Sequence, residues 1–464
     1  MSPNPRCAGS CLVLLFSSVL AAQEGSPFQG SVSTGIASPV PLALKLDDAV
    51  QRGLKTNLGL LDRETASQTA RAEHIRALSA LLPQVTGTVS ESVEQLNLKT
   101  LGFGSLGIAA FSGIPAVVGP FSYTTAQANV SAPVFDWSLH KNLSAARANE
   151  EASKLSIRDG RDLVVQAVAN AYLLIIADAS RVESIRAQVT TADALYKRAV
   201  DRKTAGVSPA IDVLRAQVEL KTQQQRLLVE MNQFARDKLV LGRVIGLPPG
   251  QDFYIADSTP FTPFRGWSQE QALRTALAQR ADYQSASKLL AAADEAVKAA
   301  RAEWYPTVDL NGYYGVTGPV IGNSHGVFLV TGALNFNIFN GGRIHSDIEQ
   351  ARAARKQRSD ELADLRGQID FQVRTAFLDI QSAADQVAVA QSNVELAAQT
   401  LIQARDRFIA GVADTIEVVQ AQESVATASD NLISASYLHN LAKSSLVRAL
   451  GLAEQGIKTL IEVK

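Results

Sequence analysis

The sequence predicts an α+β membrane protein, internally duplicated, with four β-strands and several very long helices per chain. Three observations predict it: an apolar stripe of helical period, its repetition 205 residues away, and strands in which apolar and small polar residues alternate. The stripe runs through Leu362, Leu365, Ile369, Val373, Ala376, Ile380, Ala383, Val387, Ala390, Val394, Ala397, Leu401, Ala404 and Phe408, none of them polar. It covers 46 residues in 13 steps, about 3.5 per step, between a coiled-coil seam and an ideal helix. The remaining surface is largely Asp, Gln, Arg, Ser and Asn, so one face is dry and the rest wet. With its flanks the helix reaches about 66 residues, or about 100 Å. Large residues alternating with Ala allow neighbouring helices to approach closely.

The matching stripe comprises Ile157, Gly160, Val164, Val168, Ala171, Ile175, Asp178, Val182, Ile185, Val189, Ala192, Tyr196, Ala199 and Lys203. Only Gly160, Asp178 and Lys203 break it. Each rod is followed by a turn, Ala205-Gly206-Val207 or Ala410-Gly411-Val412, and then by a second helix opening at Ile211-Asp212-Val213 or Ile416-Glu417-Val418.

In chain order, residues 1–22 read as a secretory signal. Arg6 supplies its charge, Leu12 to Leu20 an apolar core too short to span a bilayer, and Ala21 or Ala22 the cleavage point. Both cysteines, Cys7 and Cys11, fall inside it, so the mature chain is expected to lack disulfide and thiol chemistry. Loss of Arg6 moves the formal net charge from −1 to −2, which offers nothing to nucleic acid. A loose lead-in is expected over 23–43. The first repeat spans 44–250, with a helix, a β-hairpin over 84–136 and a long helical hairpin over 138–246. A linker over 251–266 precedes the second repeat, 267–455, with a helix, a β-hairpin over 306–340 and a helical hairpin over 342–451. Residues 456–464 form a tail. In each repeat the short leading helix is expected to continue into a longer one, ending at Leu82-Pro83 and Tyr305-Pro306. The repeat offset is 223 there and 205 later, so the first half carries 18 extra residues between those points.

The strands point to the cellular location. Val308, Leu310, Gly312, Tyr314 and Val316 alternate with Thr307, Asp309, Asn311 and Tyr313; Phe328, Val330, Gly332, Leu334, Phe336 and Ile338 alternate with Thr331, Asn335 and Asn337. Val85, Gly87 and Val89, then Ala126, Ala128, Val130, Ala132 and Val134, behave alike. Apolar residues on one face and small polar ones on the other suit a membrane barrel with a wet lumen, as well as a sandwich hairpin with one dry face. Strands of about ten residues favour the barrel. Four strands cannot enclose a lumen, and an open edge cannot sit in lipid, so copies must pool their strands. Three copies give twelve strands.

The segment Gly102-Phe103-Gly104-Ser105-Leu106-Gly107 matches a dinucleotide-binding spacing, but Gly113, Pro115, Gly119 and Pro120 leave no helix after it. An apolar external loop is expected there. His74, His140, His325, His345 and His439 are scattered and form no metal or catalytic pattern, so neither an enzyme nor a cofactor or metal site is expected.

The chain resembles the TolC-like outer-membrane efflux proteins. The resemblance rests on Asn335-Phe336-Asn337-Ile338-Phe339-Asn340-Gly341-Gly342-Arg343 at the strand-to-helix junction, with Val134-Phe135-Asp136-Trp137 as its weaker first-half copy. The Ala-Gly-Val turns and the helix-ending Gly246-Leu247-Pro248 and Leu450-Gly451-Leu452 fit as well. It covers nearly all of residues 44–455 and implies a homotrimer, with a twelve-stranded barrel in outer-membrane lipid of a Gram-negative cell. It also implies a periplasmic α-barrel tunnel, docking to a periplasmic adaptor, and an inner-membrane pump of RND, ABC or MFS type. Such a channel serves efflux or type I secretion. Asp212, Glu417, Gln420 and Phe408 are then the gate and selectivity candidates, and Ala205, Gly206, Val207, Ala410, Gly411 and Val412 the adaptor-docking turns. In relatives an acidic residue stands at the position of Glu417 and another one turn later; here the later position is Gln420. The plainer reading is that Asp414 and Glu417 form a capping box, that Asp212 favours its helix dipole, and that Ser208-Pro209 starts the helix after the first turn. Rival readings of the whole chain are a periplasmic coiled-coil scaffold without a pore, which leaves the strands unexplained, and an extracytoplasmic enzyme, which lacks a catalytic constellation.

Overall fold

The computed structural model describes residues 27–98, 100, 115–257, 261–264 and 266–456. The expected signal with its cysteines, the Gly102–Gly107 loop motif and the tail beyond Gly456 lie outside the described residues. In each half a pair of helices leads into a β-hairpin and then a long helical hairpin. The first half contains α1 (Leu46–Thr56), α2 (Leu58–Ser79), β2 (Gln84–Asn97), β3 (Val117–Phe135), α3 (Trp137–Thr204) and α4 (Ala210–Val244). The second contains α5 (Gln269–Gln279), α6 (Ala281–Ala302), β5 (Thr307–Gly318), β6 (His325–Asn335), α7 (Arg343–Ile409) and α8 (Thr415–Ala449). Two three-residue strands, β1 (Leu42–Leu44) and β4 (Phe253–Ile255), pair in parallel and tie the lead-in to the inter-repeat linker.

The stripe is the packing face. All fourteen of its positions on α7 are buried or half-buried, and on α3 all but Lys203. The three exceptions on α3 have separate causes. A Cβ on Gly160 would lie 2.8 Å from Arg63 Cδ, so the space beside it is taken by the Arg63 side chain on its way to Asp159. Lys203 lies in the last turn of α3, where a cation meets the negative helix end. Asp178 is buried.

The leading helices do not run through. α1 stops at Asn57, whose side chain accepts from the Gly59 N–H at 3.1 Å and donates to the Phe28 carbonyl at 2.8 Å. At the same place in the second repeat, offset by 223, Arg280 separates α5 from α6, pairing with Asp282 at 2.6 Å and Gln372 at 2.6 Å. The described part of the lead-in is pinned rather than loose: Val32 N–H donates to the Thr56 carbonyl at 2.8 Å and Thr34 N–H to the Gly246 carbonyl at 3.2 Å. The principal core gathers Leu44, Leu54, Val164, Val168, Tyr172, Leu241 and Phe253 around these junctions. Asp159 of α3 receives Arg63 from α2 and Arg448 from α8, each at 2.6 Å, and so joins the two halves.

The four longer strands form one antiparallel sheet in the order β2-β3-β5-β6. Its registers align Val85, Val130, Gly312 and Val330 across the sheet, then Ala128, Tyr314 and Phe328. All four strands therefore contribute apolar residues to this face, although Tyr313, Val327 and Leu329 lie on the other. The opposite face carries Thr88, Gln127, Asn129, Asn311 and Thr331, with Asn129 Nδ2 donating to Thr88 Oγ1 at 3.2 Å. β6 ends at Asn335, three residues before the expected Ile338; Phe336 and Ile338 lie in the exposed turn that leads to α7. Gly341 (φ +63°) and Gly342 (φ +89°) make that turn, and residues with a Cβ would be strained in both places.

Candidate functional site at the hairpin tips

Each long hairpin ends in the same six-residue device. In the first, Gly206 N–H donates to the Lys203 carbonyl and Val207 N–H to the Arg202 carbonyl, both at 3.0 Å. In the second, Gly411 N–H reaches the Phe408 carbonyl at 3.2 Å and Val412 N–H the Arg407 carbonyl at 3.0 Å. This is the paired bonding that closes a helix on a left-handed residue. Gly206 (φ +74°) and Gly411 (φ +77°) supply that conformation, and nothing lies within 4 Å of a Cβ built on either. Val207 and Val412 project into solvent from the two turns.

The helices after the turns start differently. Asp414 caps α8, its carboxylate accepting from Glu417 N–H at 3.2 Å. The Glu417 carboxylate turns instead to Arg407 Nε, at 3.1 Å, with its side chain 40% exposed. Only half of the expected capping box is in place. Ahead of α4, Pro209 itself holds the N-cap position without a side-chain bond, and Ser208 Oγ is buried without a partner among the described residues. Asp212 sits one turn in, 3.7 Å from Arg215.

Phe408 is 5% exposed and belongs to a cluster with Leu195, Ala199, Ala216, Ala404, Val418 and Ala421, which packs the two hairpin ends together. Within the chain it is therefore a packing residue. Gln420 lies on the exposed side of α8. Thus Glu417 and Gln420 share one exposed region, Asp212 lies on the other hairpin, and Phe408 lies beneath.

Two functional candidates that sequence reasoning missed are Arg202 and Arg407. They occupy matching positions, offset by 205. Arg407 pairs within its own hairpin. Arg202 does not take the matching Asp212; its Nη1 donates to the Phe408 carbonyl at 2.7 Å and its guanidinium lies 4.7 Å from the Phe408 ring centroid. The available signal was a basic residue in the last turn of each rod. The arrangement can fasten the two tips together and hold a partly neutralised carboxylate beside the fastening; it offers no nucleophile–base pair. Among the described residues no group of three His, Cys, Asp or Glu is placed to hold a metal ion.

The family model for outer membrane efflux proteins matches residues 49–247 and 272–452. The chain is similar to the pyoverdine export outer membrane protein OpmQ of Pseudomonas aeruginosa, 25% identical over 426 residues, covering 88% of this chain and 85% of that protein. Its fold matches the outer membrane channel CmeC of Campylobacter jejuni with a TM-score of 0.76 at 15% identity, covering 99% of this chain and 98% of the other. It also matches the outer membrane protein VceC of Vibrio cholerae, with a TM-score of 0.74 at 19% identity over 88% and 96% of the two chains.

Proposed function

The chain belongs to the outer membrane efflux protein family, and on that premise we propose that three copies close their sheets into one twelve-stranded barrel in the outer membrane. The observation that carries this reading is the register of the sheet. It gives all four strands a share in one exposed, largely apolar face and leaves the outer edges of β2 and β6 unpaired among the described residues. Val85, Val89, Tyr314, Phe328 and Val330 are all exposed on that face. Water penalises such a face; lipid does not, provided that every edge is paired. The opposite, polar face then lines a wet lumen.

The same pooling gathers the long hairpins into a periplasmic tunnel. Exposed Leu214, Val218, Leu228 and Leu239 on α4, and Leu378, Val389, Leu396 and Ile402 on α7, support it, because they form apolar surface that one chain does not cover. With residues 1–22 as an export signal and the barrel in the outer membrane, the tips lie deepest in the periplasm. There Ala205-Gly206-Val207 and Ala410-Gly411-Val412 meet a periplasmic adaptor, which couples the channel to an inner-membrane pump. Glu417 with Asp212 and Gln420 lines the narrow end, and Arg202 with Phe408 holds it shut. The protein's work is passage rather than catalysis.

A variant lacking residues 306–340 tests the reading by liposome flotation and crosslinking. Loss of both lipid insertion and trimers supports the shared barrel. A lipid-inserted trimer from that variant would exclude it and favour a scaffold built from the helices alone.

A further inference from the structure

Asp178, which interrupts the apolar stripe of α3, is 1% exposed. Its Oδ1 accepts from Arg181 Nη1 at 3.0 Å, but its Oδ2 is buried and receives no donor among the described residues. Ionised carboxylates in protein interiors are held by donors on both oxygens, because the desolvated charge is otherwise uncompensated. The group that meets Asp178 from α4 is itself a carboxyl, that of Asp237, within hydrogen-bonding reach. Two carboxylates offer four acceptors and no donor, so the contact is attractive only when one of them carries a proton.

The surroundings add acid rather than base. Arg181 on α3 is the cation of the group, and it is shared: besides Asp178 it donates to Asp430 on α8 at 3.1 Å and to Ser434 at 3.0 Å. α4 contributes Glu230 as well as Asp237, and the Glu230 Oε1 is also buried without a partner among the described residues. α8 contributes Asp430 and the phenol of Tyr437. Four carboxyl groups thus gather around one guanidinium. Asp237 takes one donor, Gln233 Nε2 on its Oδ2 at 2.7 Å.

We propose that Asp178 and Asp237 hold one proton between them at neutral pH, a proton-binding site that joins α3 to α4 in the wall of the first helical hairpin. Burial, and then the contact with Asp237, push the Asp178 carboxyl up to about 7, with Arg181 opposing. The folded chain therefore binds more protons than the unfolded chain from about pH 4 to about pH 7. Stability from this pair is complete below that window and is lost as pH rises through it. The wall of the hairpin tightens in acid and loosens towards alkaline pH.

The test uses the full-length protein in detergent, with Asp178→Asn and Asp237→Asn. Infrared titration of the wild type should show a protonated-carboxyl band that is still present at neutral pH, is lost as pH rises through and beyond about 7, and is absent from Asp178→Asn. An amide at 237 supplies the missing donor, so in Asp237→Asn the proton affinity of Asp178 should fall at least tenfold, about one pH unit. The thermal midpoint of the wild type should drop between about pH 4 and about pH 7, with a flatter profile in both variants. A neutral-pH band that survives Asp178→Asn, or an unchanged pH profile in Asp237→Asn, would overturn the proposal. Asp237→Asn carries the test alone if Asp178→Asn fails to assemble. Neither readout depends on channel activity.

Discussion

Arg202, at the end of the first rod, donates from Nη1 to the Phe408 carbonyl at the end of the second, at 2.7 Å, with its guanidinium 4.7 Å from the Phe408 ring centroid. The matching arginine, Arg407, stays in its own hairpin and pairs with Glu417 at 3.1 Å. Duplicated residues are used asymmetrically: one fastens the tips to each other, the other trims the charge of the candidate gate.

Arg202→Ala should loosen the tips. A charge-assisted hydrogen bond with a cation–π contact stabilises by about 1.5–3 kcal/mol, and Arg202→Lys should recover only part because the planar fork is lost. The check is proteolysis at the hairpin turns together with conductance in planar bilayers. Both should rise in Arg202→Ala, less so in Arg202→Lys, and stay at wild-type level if the contact fastens nothing.

Glu417→Gln separates two roles of that carboxylate. As a partly exposed ion pair with Arg407 it stabilises by about 0–1 kcal/mol, so melting should hardly change. As a ring of charge at the narrow end it should favour cations, and the variant should lose cation selectivity and block by divalent or trivalent cations added on the periplasmic side. Unchanged single-channel behaviour would leave Glu417 only its bond to Arg407.

How far these features were legible in the sequence depended on whether their cause was periodic. All fourteen α7 stripe positions proved buried or half-buried because burial itself repeats at the helical period. Strand faces were equally open to reading, since a period of two must match the pleat. What escaped was set by contacts between distant residues. The break at Asn57 depends on a bond to Phe28, and β1 and β4, at three residues each, are too short for any pattern. Arg202 and Phe408 lie 206 residues apart, and only the meeting of two hairpin ends shows which carbonyl Arg202 takes. Phe408 was legible as a stripe residue, yet its neighbours at the tip were not.

Ala390 tests the close packing of the rods. It is buried against Ala435 of α8 and Val387, whereas Gln391 beside it is exposed. Ala390→Leu should cost about 1–3 kcal/mol by overpacking, and Gln391→Leu much less. Thermal melting of the two variants decides it; equal midpoints would mean that alanine is there for helix propensity alone.

The central claim is that β6 of one copy pairs with β2 of the next. Apart from Cys7 and Cys11 in the expected signal, the sequence contains no cysteine, so pairs can be introduced cleanly. The most direct measurement is oxidative crosslinking in native outer membranes, with one cysteine scanned along Gln84–Asn97 and a second along His325–Asn335. The expected result is a ladder of dimer and trimer that stops at trimer, restricted to pairs in one antiparallel register. No crosslink at any pair, or products that grow past the trimer, would contradict the shared barrel.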